Sequence, residues 1–312
     1  MKETDARSGA AKLSDEELSK ELGRCQTKES IGILLGVLCI IVSCVLAIVR
    51  RDILLFAVLF FIGVGLILLL ALPAQKKKRA LMHNNLDDFF NAELERTFGP
   101  APETPLLPID KAYLESAGLV LCQWRDCTVG SFREGVHEGL CFSAANVELS
   151  RMVEEKSGPE NENWTTRTET VFKGIVIRCK DICEPDMDIT VNDWLQKLPE
   201  GELTDPAVFS RRFTAHTADG KAADAQVTPA LRALCRDMEK AGAGRLYGIA
   251  VRDGALALAL ETKYVFADIP DALDMRDVAG MRKWYTATLT GMGRLLDMLR
   301  SSAALSGAAP MR

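Results

Sequence analysis

The chain has 312 residues, 38 Lys and Arg against 43 Asp and Glu, a formal charge of −5, and 48% apolar residues. That balance leaves no basic excess for binding a polyanion, so nucleic acid is not an expected partner. Enough chain follows position 72 for one sizeable domain or two small ones, and nine Cys need placing.

The first 30 residues are polar and charged, so no cleavable leader is expected at this end. Residues 1–12 are expected to be disordered. Ser14 then opens a short helix: Glu17 completes a capping box, and Leu13 with Leu18 fits a hydrophobic staple. Leu18 and Leu22 share a face, and Gly23 is expected to end the helix. Such an amphipathic element would lie on a membrane surface or dock on a folded domain. Residues 1–30 are read as a cytoplasmic leader.

Residues 31–72 dominate the chain. Ile31–Val49 and Ile53–Leu72 contain no charge, and only Arg50, Arg51 and Asp52 separate them. At about 1.5 Å per residue each run spans roughly 28–30 Å as a helix, the thickness of a bilayer's hydrocarbon core. Thirteen residues of the first run are Ile, Leu or Val, and sixteen of the second are Ile, Leu, Val or Phe. A transmembrane hairpin is therefore expected, in preference to a buried hairpin of a large soluble core. Lys12, Lys20, Arg24 and Lys28 precede it and Lys76, Lys77, Lys78 and Arg79 follow it, against two Arg in the loop. This asymmetry puts both termini in the cytoplasm, where Cys are reduced. Lys76–Arg79 is read first as a stop-transfer flank and second as a contact for anionic headgroups. Gly32 and Gly36, with Gly63 and Gly65 at similar depth, mark either the hairpin's own contact or a dimer face. Self-association through the spans is the second of these readings.

Residues 73–108 are expected to form a juxtamembrane helix and a Pro-rich linker. After Pro73, Leu86, Phe90, Leu94 and Phe98 recur at helical spacing over 80–98, and Gly99-Pro100 stops the run. Residues 99–108 hold four Pro. A soluble α+β domain is then expected over 109–300: an antiparallel sheet with packed helices. Asp110 caps a helix through Ser116, with Gly118 after it. Leu119–Trp124 is a strand candidate, and 130–139 reads as a turn-rich connection. Leu140–Val153 and Thr165–Cys179 form a long hairpin with its tip at 154–164. Ile189–Trp194 adds a strand, Pro206–Arg211 a helical turn, and Phe213–Thr217 a strand before the Asp219-Gly220 turn. Thr228-Pro229 starts a helix with Leu231, Leu234, Cys235 and Met238 on its apolar face. Leu246–Arg252 and Ala255–Thr262 flank Asp253-Gly254, a strong hairpin signal. A final helix over 277–300 turns Met281, Trp284, Tyr285, Leu289, Leu295 and Leu299 inward. Residues 301–312 are expected to be a disordered tail.

Legible chemistry is sparse. Cys179 and Cys183, with Cys122 and Cys127, could in principle share a metal, but the CxxC pairs of zinc sites are absent. His137 and His216 lie in no nucleophile signature. No P-loop, GxSxG or HExxH occurs. No catalytic, cofactor-binding or metal-binding residue and no cofactor is therefore assigned.

The runs TETVFKGIVIRC, PAVFSRRFTAHTADGKAADAQVTPALRAL and YGIAVRDGALALAL, in this order, resemble the bacterial family known as domain of unknown function 3137. The matching pieces are Phe172-Lys173-Gly174, Phe209 and Phe213, Asp219, Ala225 and Val227-Thr228-Pro229, and the resemblance covers roughly residues 85–300. It implies a bacterial membrane-anchored protein and supplies no reaction or ligand; with the two apolar runs, the expected location is the bacterial inner membrane, multi-pass. Some members lie beside LemA-type membrane proteins, which suggests a partner. Each quoted motif also has a plain physical reading: Phe172, Phe209 and Phe213 as core, Gly174 as a close approach, and Thr228-Pro229 as a helix start rather than an anion site. The expected function is a non-catalytic module that presents a cytoplasmic domain to protein partners. The alternative is a membrane-tethered enzyme or small-ligand sensor.

Overall fold

The structure is a computed structural model. It describes residues 13–50, 53–100, 107–156, 164–183, 187–194, 201–242, 244–262, 265–269, 273–274 and 276–302. Residues 1–12, the expected turn at Arg51-Asp52, most of the Pro-rich linker, the 157–163 tip and the tail beyond 302 lie outside them. The fold is α+β: two long apolar helices come first, and a seven-stranded antiparallel sheet with helices follows. Two compact units divide the chain. The first comprises residues through Glu93 with Ile269–Trp284, and the second Leu94–Asp268 with the residues from Tyr285 on.

In the first unit α1 (Asp15–Arg50) opens with the expected capping box. The Ser14 N–H donates to Glu17 Oε2 at 3.0 Å and the Glu17 N–H to Ser14 Oγ at 3.4 Å. Gly23 does not end this helix. Its expected role as a stop is corrected, because no Pro follows it and 24–30 are residues a helix tolerates, so α1 continues into the apolar run. The second apolar run forms α2 (Ile53–Leu66), a π-helical turn (Ile67–Ala71) and α3 (Leu72–Phe98) without a break. Pro73 therefore does not separate two helices. The Leu72 N–H bonds to Ile67 O, five residues back, so the turn before the proline is already wide. A wide turn accommodates a ring and a missing N–H that would break a regular helix. Gly99, with φ at +73°, and Pro100 end α3 as expected. Leu18, Leu22, Leu86, Val278 and Met281 form this unit's core, with Leu13, Leu81, Met82, Phe90 and Ile269 around it. Arg282 grips Asp15 with two nitrogens, at 2.9 and 3.0 Å.

In the second unit the strands are β1 (Asp126–His137), β2 (Leu140–Lys156), β3 (Trp164–Cys179), β4 (Ile189–Asp193), β5 (Phe213–His216), β6 (Leu246–Arg252) and β7 (Ala255–Leu260). Their order is β1-β2-β3-β7-β6-β4-β5. Two sequence expectations are corrected here. Leu119–Trp124 is not a strand: Leu119 turns into the core and its carbonyl lies against Gly248, leaving the segment draped over the sheet. Residues 130–139, expected to be a turn-rich connection, instead lie mostly in edge strand β1, with a bulge between Gly130 and Arg133. A two-residue turn at Glu138 and Gly139, both at positive φ, joins β1 to β2. Beyond Ser150 only β2 and β3 pair, as a two-stranded ribbon.

One sheet face buries Ala145, Val147, Leu149, Phe172, Val176, Ala250, Ala257 and Ala259 against Ile109, Leu119 and α4 (Lys111–Ala117). Asp110 caps α4, accepting from the Tyr113 N–H at 2.8 Å. Asn192 and Arg252 reach from the sheet to the carbonyls of Gly118 and Ser116, at its other end. The alternating residues Phe142, Ala144, Ile175, Ile177, Leu256, Leu258 and Leu260 are buried on the opposite face. Phe98 stacks edge-on to Phe142, with ring centroids 5.0 Å apart. The remaining helices are α5 (Pro206–Arg212), α6 (Pro229–Gly242) and α7 (Val278–Ser301), all where expected. Met281, Tyr285, Leu289, Leu295 and Leu299 are buried, whereas Trp284 is only half-buried.

Candidate functional site

The candidate site lies where the apolar helices become polar, between α1 and the π turn and α3 of the same unit. Glycines bring these helices together. A β-carbon on Gly36 would fall 2.8 Å from the Gly63 carbonyl oxygen, and one on Gly63 would fall 2.7 Å from that of Gly36. Gly32 likewise sits against Leu70 and Ala71. Three of the four expected small residues thus serve the contact within this helix pair, and Gly65 faces open space. Large apolar side chains point outward instead: Leu34, Phe61 and Leu69 are 69%, 71% and 76% exposed.

Towards the polar end the pair diverges around a cleft of about 570 Å³. Glu21, Arg24, Cys25 and Lys28 line it from α1; Leu69, Leu70, Pro73, Ala74 and Lys77 line it from the other side. On each helix these positions are three or four apart and so share a face. Glu21 binds Lys77 at 2.8 Å and Arg24 at 2.6 Å. The hydrogen bond from Lys77, then that from Arg24, holds the Glu21 carboxyl below its ordinary range, and Glu21 in turn raises Lys77. Lys28 has no ion-pair partner among the described residues. Below the charges, Lys78 binds Glu29 at 2.7 Å, a second tie between the helices. The cleft thus joins a cationic mouth to an apolar wall.

The second unit holds a buried charge cluster that the sequence does not announce. Arg212 ends α5, and its guanidinium meets Asp193 of β4 at 3.0 Å and both carboxylate oxygens of Glu239 on α6. Arg245 approaches the same Asp193 oxygen at 2.8 Å. Burial alone would lower the Arg212 pKa; Glu239 and then Asp193 more than offset it, so the net direction is upward. The Asp193 side chain is 0% exposed and that of Arg212 is 3%. Asp193 and Glu239 hold the Arg212 guanidinium from two sides, so the cluster ties α5, α6 and β4 together. A small cavity of about 20 Å³ between Ile175, Gly242, Phe266 and Met292 has room for about one water.

The residues considered from sequence are dispersed. Cys179 is buried, and desolvation first, then Cys183 and Cys141, push its thiol up to about 12. Burial pushes Cys183 up to about 11. Cys122 is exposed and Cys127 half-buried. Among the described residues no three His, Cys, Asp or Glu converge on a metal position. His137 Nε2 lies 2.9 Å from Asp297 Oδ1, on edge strand β1, while His216 sits in β5 at the opposite edge. Thr228 Oγ1 accepts from the Leu231 N–H at 3.1 Å, which is capping. Phe172 meets Tyr247 edge-on with ring centroids 5.0 Å apart, and Phe209 stacks on Phe213 at 4.8 Å. Asp219 closes its turn through Thr217 and Lys221, and Ala225 lies in a 3₁₀ turn. The Leu260 carbonyl crosses Gly174 where a β-carbon would stand 2.3 Å away. These are roles in packing and turns.

No protein-family model, curated protein or solved structure matches this chain.

Proposed function

We propose that the protein is a bacterial inner-membrane protein of the type known as domain of unknown function 3137, anchored by the 31–72 hairpin. Both termini lie in the cytoplasm, and the α+β unit is presented there to protein partners without chemistry of its own. A LemA-type membrane protein is the partner class the resemblance brings. One observation carries the anchoring: the helix pair is apolar on its outside and joined by glycine on its inside. A helix of a soluble core has the opposite arrangement, with its large apolar residues buried. Here only 17% and 11% of the residues in the two apolar stretches are buried. The flanking Lys and Arg, eight against two in the loop, support the orientation. A presenting role is supported by the sheet's edge strand β1, where Phe132 and Val136 are exposed.

Alkaline phosphatase fused after Arg79 or at Arg312 is expected to be inactive, and the protein is expected to stay with membranes through an alkaline carbonate wash. Phosphatase activity from either fusion would refute the orientation, and release by carbonate would refute the anchor. Crosslinking in native membranes is expected to capture a defined protein neighbour through the α+β unit. Turnover of a small molecule by purified protein would overturn the non-catalytic reading.

A further inference from the structure

We propose that the cleft between α1 and α3 holds the headgroup of one anionic phospholipid. Lys28, Arg24 and Lys77 hold its phosphodiester, and Leu69 and Leu70 line its acyl chain. This inference rests on the membrane reading and names a ligand for it.

The charge is of the right sign, and its net of two positive charges is more than enough for one phosphodiester. Three cations and one carboxylate line the cleft, and a phosphodiester carries a single negative charge. Glu21 fixes Arg24 and Lys77 by ion pairs, while Lys28 brings a charge that no described residue neutralises. Depth agrees as well. Lys28 precedes the apolar run by three residues and Lys77 follows it by five, so they stand roughly 5 and 8 Å beyond it along their helices. The polar layer on each side of a bilayer's core is roughly 5–8 Å thick, so both cations lie at headgroup level.

The wall decides between a lipid and a soluble anion. Leu69 is 76% exposed and Leu70 41%, and both continue the apolar outer surface of the helix pair. A soluble phosphate has no use for such a wall, whereas a phospholipid brings a chain that covers it. The wide π turn at Ile67–Ala71, followed by Pro73, shapes that side of the cleft.

The test uses the full chain, purified in a zwitterionic detergent and titrated with phosphatidylglycerol or phosphatidylcholine of the same chain length. Retained lipid is counted by native mass spectrometry. One phosphatidylglycerol is expected to be retained in preference to phosphatidylcholine. Each cation near a membrane surface contributes roughly fivefold, so Arg24→Gln with Lys28→Gln should weaken retention about 30-fold. Lys28→Gln alone breaks no ion pair among the described residues and should cost about fivefold even if the double variant unfolds. Lys76→Gln with Arg79→Gln, outside the cleft lining, should leave retention unchanged. Equal retention of the two lipids, or an equal loss in this control pair, would overturn the site. Displacement by inorganic phosphate at matched concentration would assign the cleft to a soluble anion and also overturn it. A carbonate wash of the same membranes separates the two claims. An integral protein without phosphatidylglycerol preference refutes the site alone, and a released protein refutes the anchor beneath it.

Discussion

Replacing Arg212 with Met tests whether the buried charge cluster holds α5 to β4 and α6. The substitution keeps an unbranched stem of similar reach but deletes the bonds to Asp193, at 3.0 Å, and to both oxygens of Glu239. Asp193 is then left in a site where its side chain is 0% exposed, with Arg245 at 2.8 Å as its remaining cation in the cluster. Glu239 suffers less: its side chain is 17% exposed and keeps the Leu246 N–H at 2.9 Å. Breaking a buried ion pair from one side costs roughly 3–5 kcal/mol. Because Arg245 survives, the lower figure applies, about 3 kcal/mol. For a unit of this size each kcal/mol moves Tm by roughly 2–4 °C, so a fall of about 6–12 °C is expected. The assay is thermal unfolding of the full chain in mild detergent, followed by tryptophan fluorescence and near-ultraviolet circular dichroism. Adding Asp193→Asn to Arg212→Met should recover part of the loss, because the stranded carboxylate is its source. A fall within about 1 °C, or a double variant less stable than the single one, would refute the reasoning.

Two further outcomes test the packing. Gly63→Val drives a β-carbon toward the Gly36 carbonyl oxygen, a backbone atom that cannot rotate away. It should lower the sodium dodecyl sulfate midpoint for unfolding of the helix pair, an overpacking cost of roughly 1–3 kcal/mol. Gly65→Val, with nothing within 4 Å of its β-carbon, should be silent, and an equal effect at both sites would defeat the contact. The second outcome concerns alkaline pH. Cys179 is pushed from 9.0 up to about 12 and Cys183 to about 11, both by burial. The unfolded thiols lose their protons first, so the stabilisation is complete below pH 9. It is lost as pH rises through the window from 9 to about 11 and 12. For Cys179 the slope is about 1.4 kcal/mol per pH unit, which Cys179→Ala should remove from urea midpoints compared at pH 8 and pH 10. Midpoints unchanged between these pH values would count against it.

Much of the fold was legible because its signals are local. Asp110, Thr228-Pro229 and Asp253-Gly254 act within a turn of themselves, and each does so in the structure. Leu140–Val153 and Thr165–Cys179 read as a pair from their strand-forming composition, and they do pair as β2 and β3. The misreadings arise where a local signal loses to its surroundings. Gly23 is a weak breaker inside a run of helix-tolerant residues, and the stop expected at Pro73 is absorbed by the widened turn before it. Leu119–Trp124 has strand composition, but its apolar residue is used by the core while its backbone stays outside the sheet. β1 went unread because Gly130, Gly135 and Gly139 suggest turns, although only Gly139 sits in one. Of the candidate site, the flanking cations and small residues were visible. The cleft was not, since it depends on which faces of two helices distant in sequence meet. The Asp193, Arg212, Glu239 and Arg245 cluster is similarly spread over β4, α5, α6 and the residue that precedes β6.

The strand order has a consequence for how the sheet is made. β1, β2 and β3 are successive hairpin partners, and β6 and β7 form another hairpin. The seam between the groups is the short pairing of Ile175–Cys179 with Leu256–Leu260, whose partners are far apart in sequence. During synthesis β3 emerges long before β7 exists. Its Ile-Val-Ile run must wait with one edge unpaired while α5, α6 and the intervening strands are made. Such distant pairings set the folding rate far more than they set stability. The nascent chain is therefore most exposed to aggregation in the interval before Leu260 leaves the ribosome. At the end of this seam, where the closing strand arrives last, the Leu260 carbonyl lies so close to Gly174 that a β-carbon there would stand 2.3 Å from it.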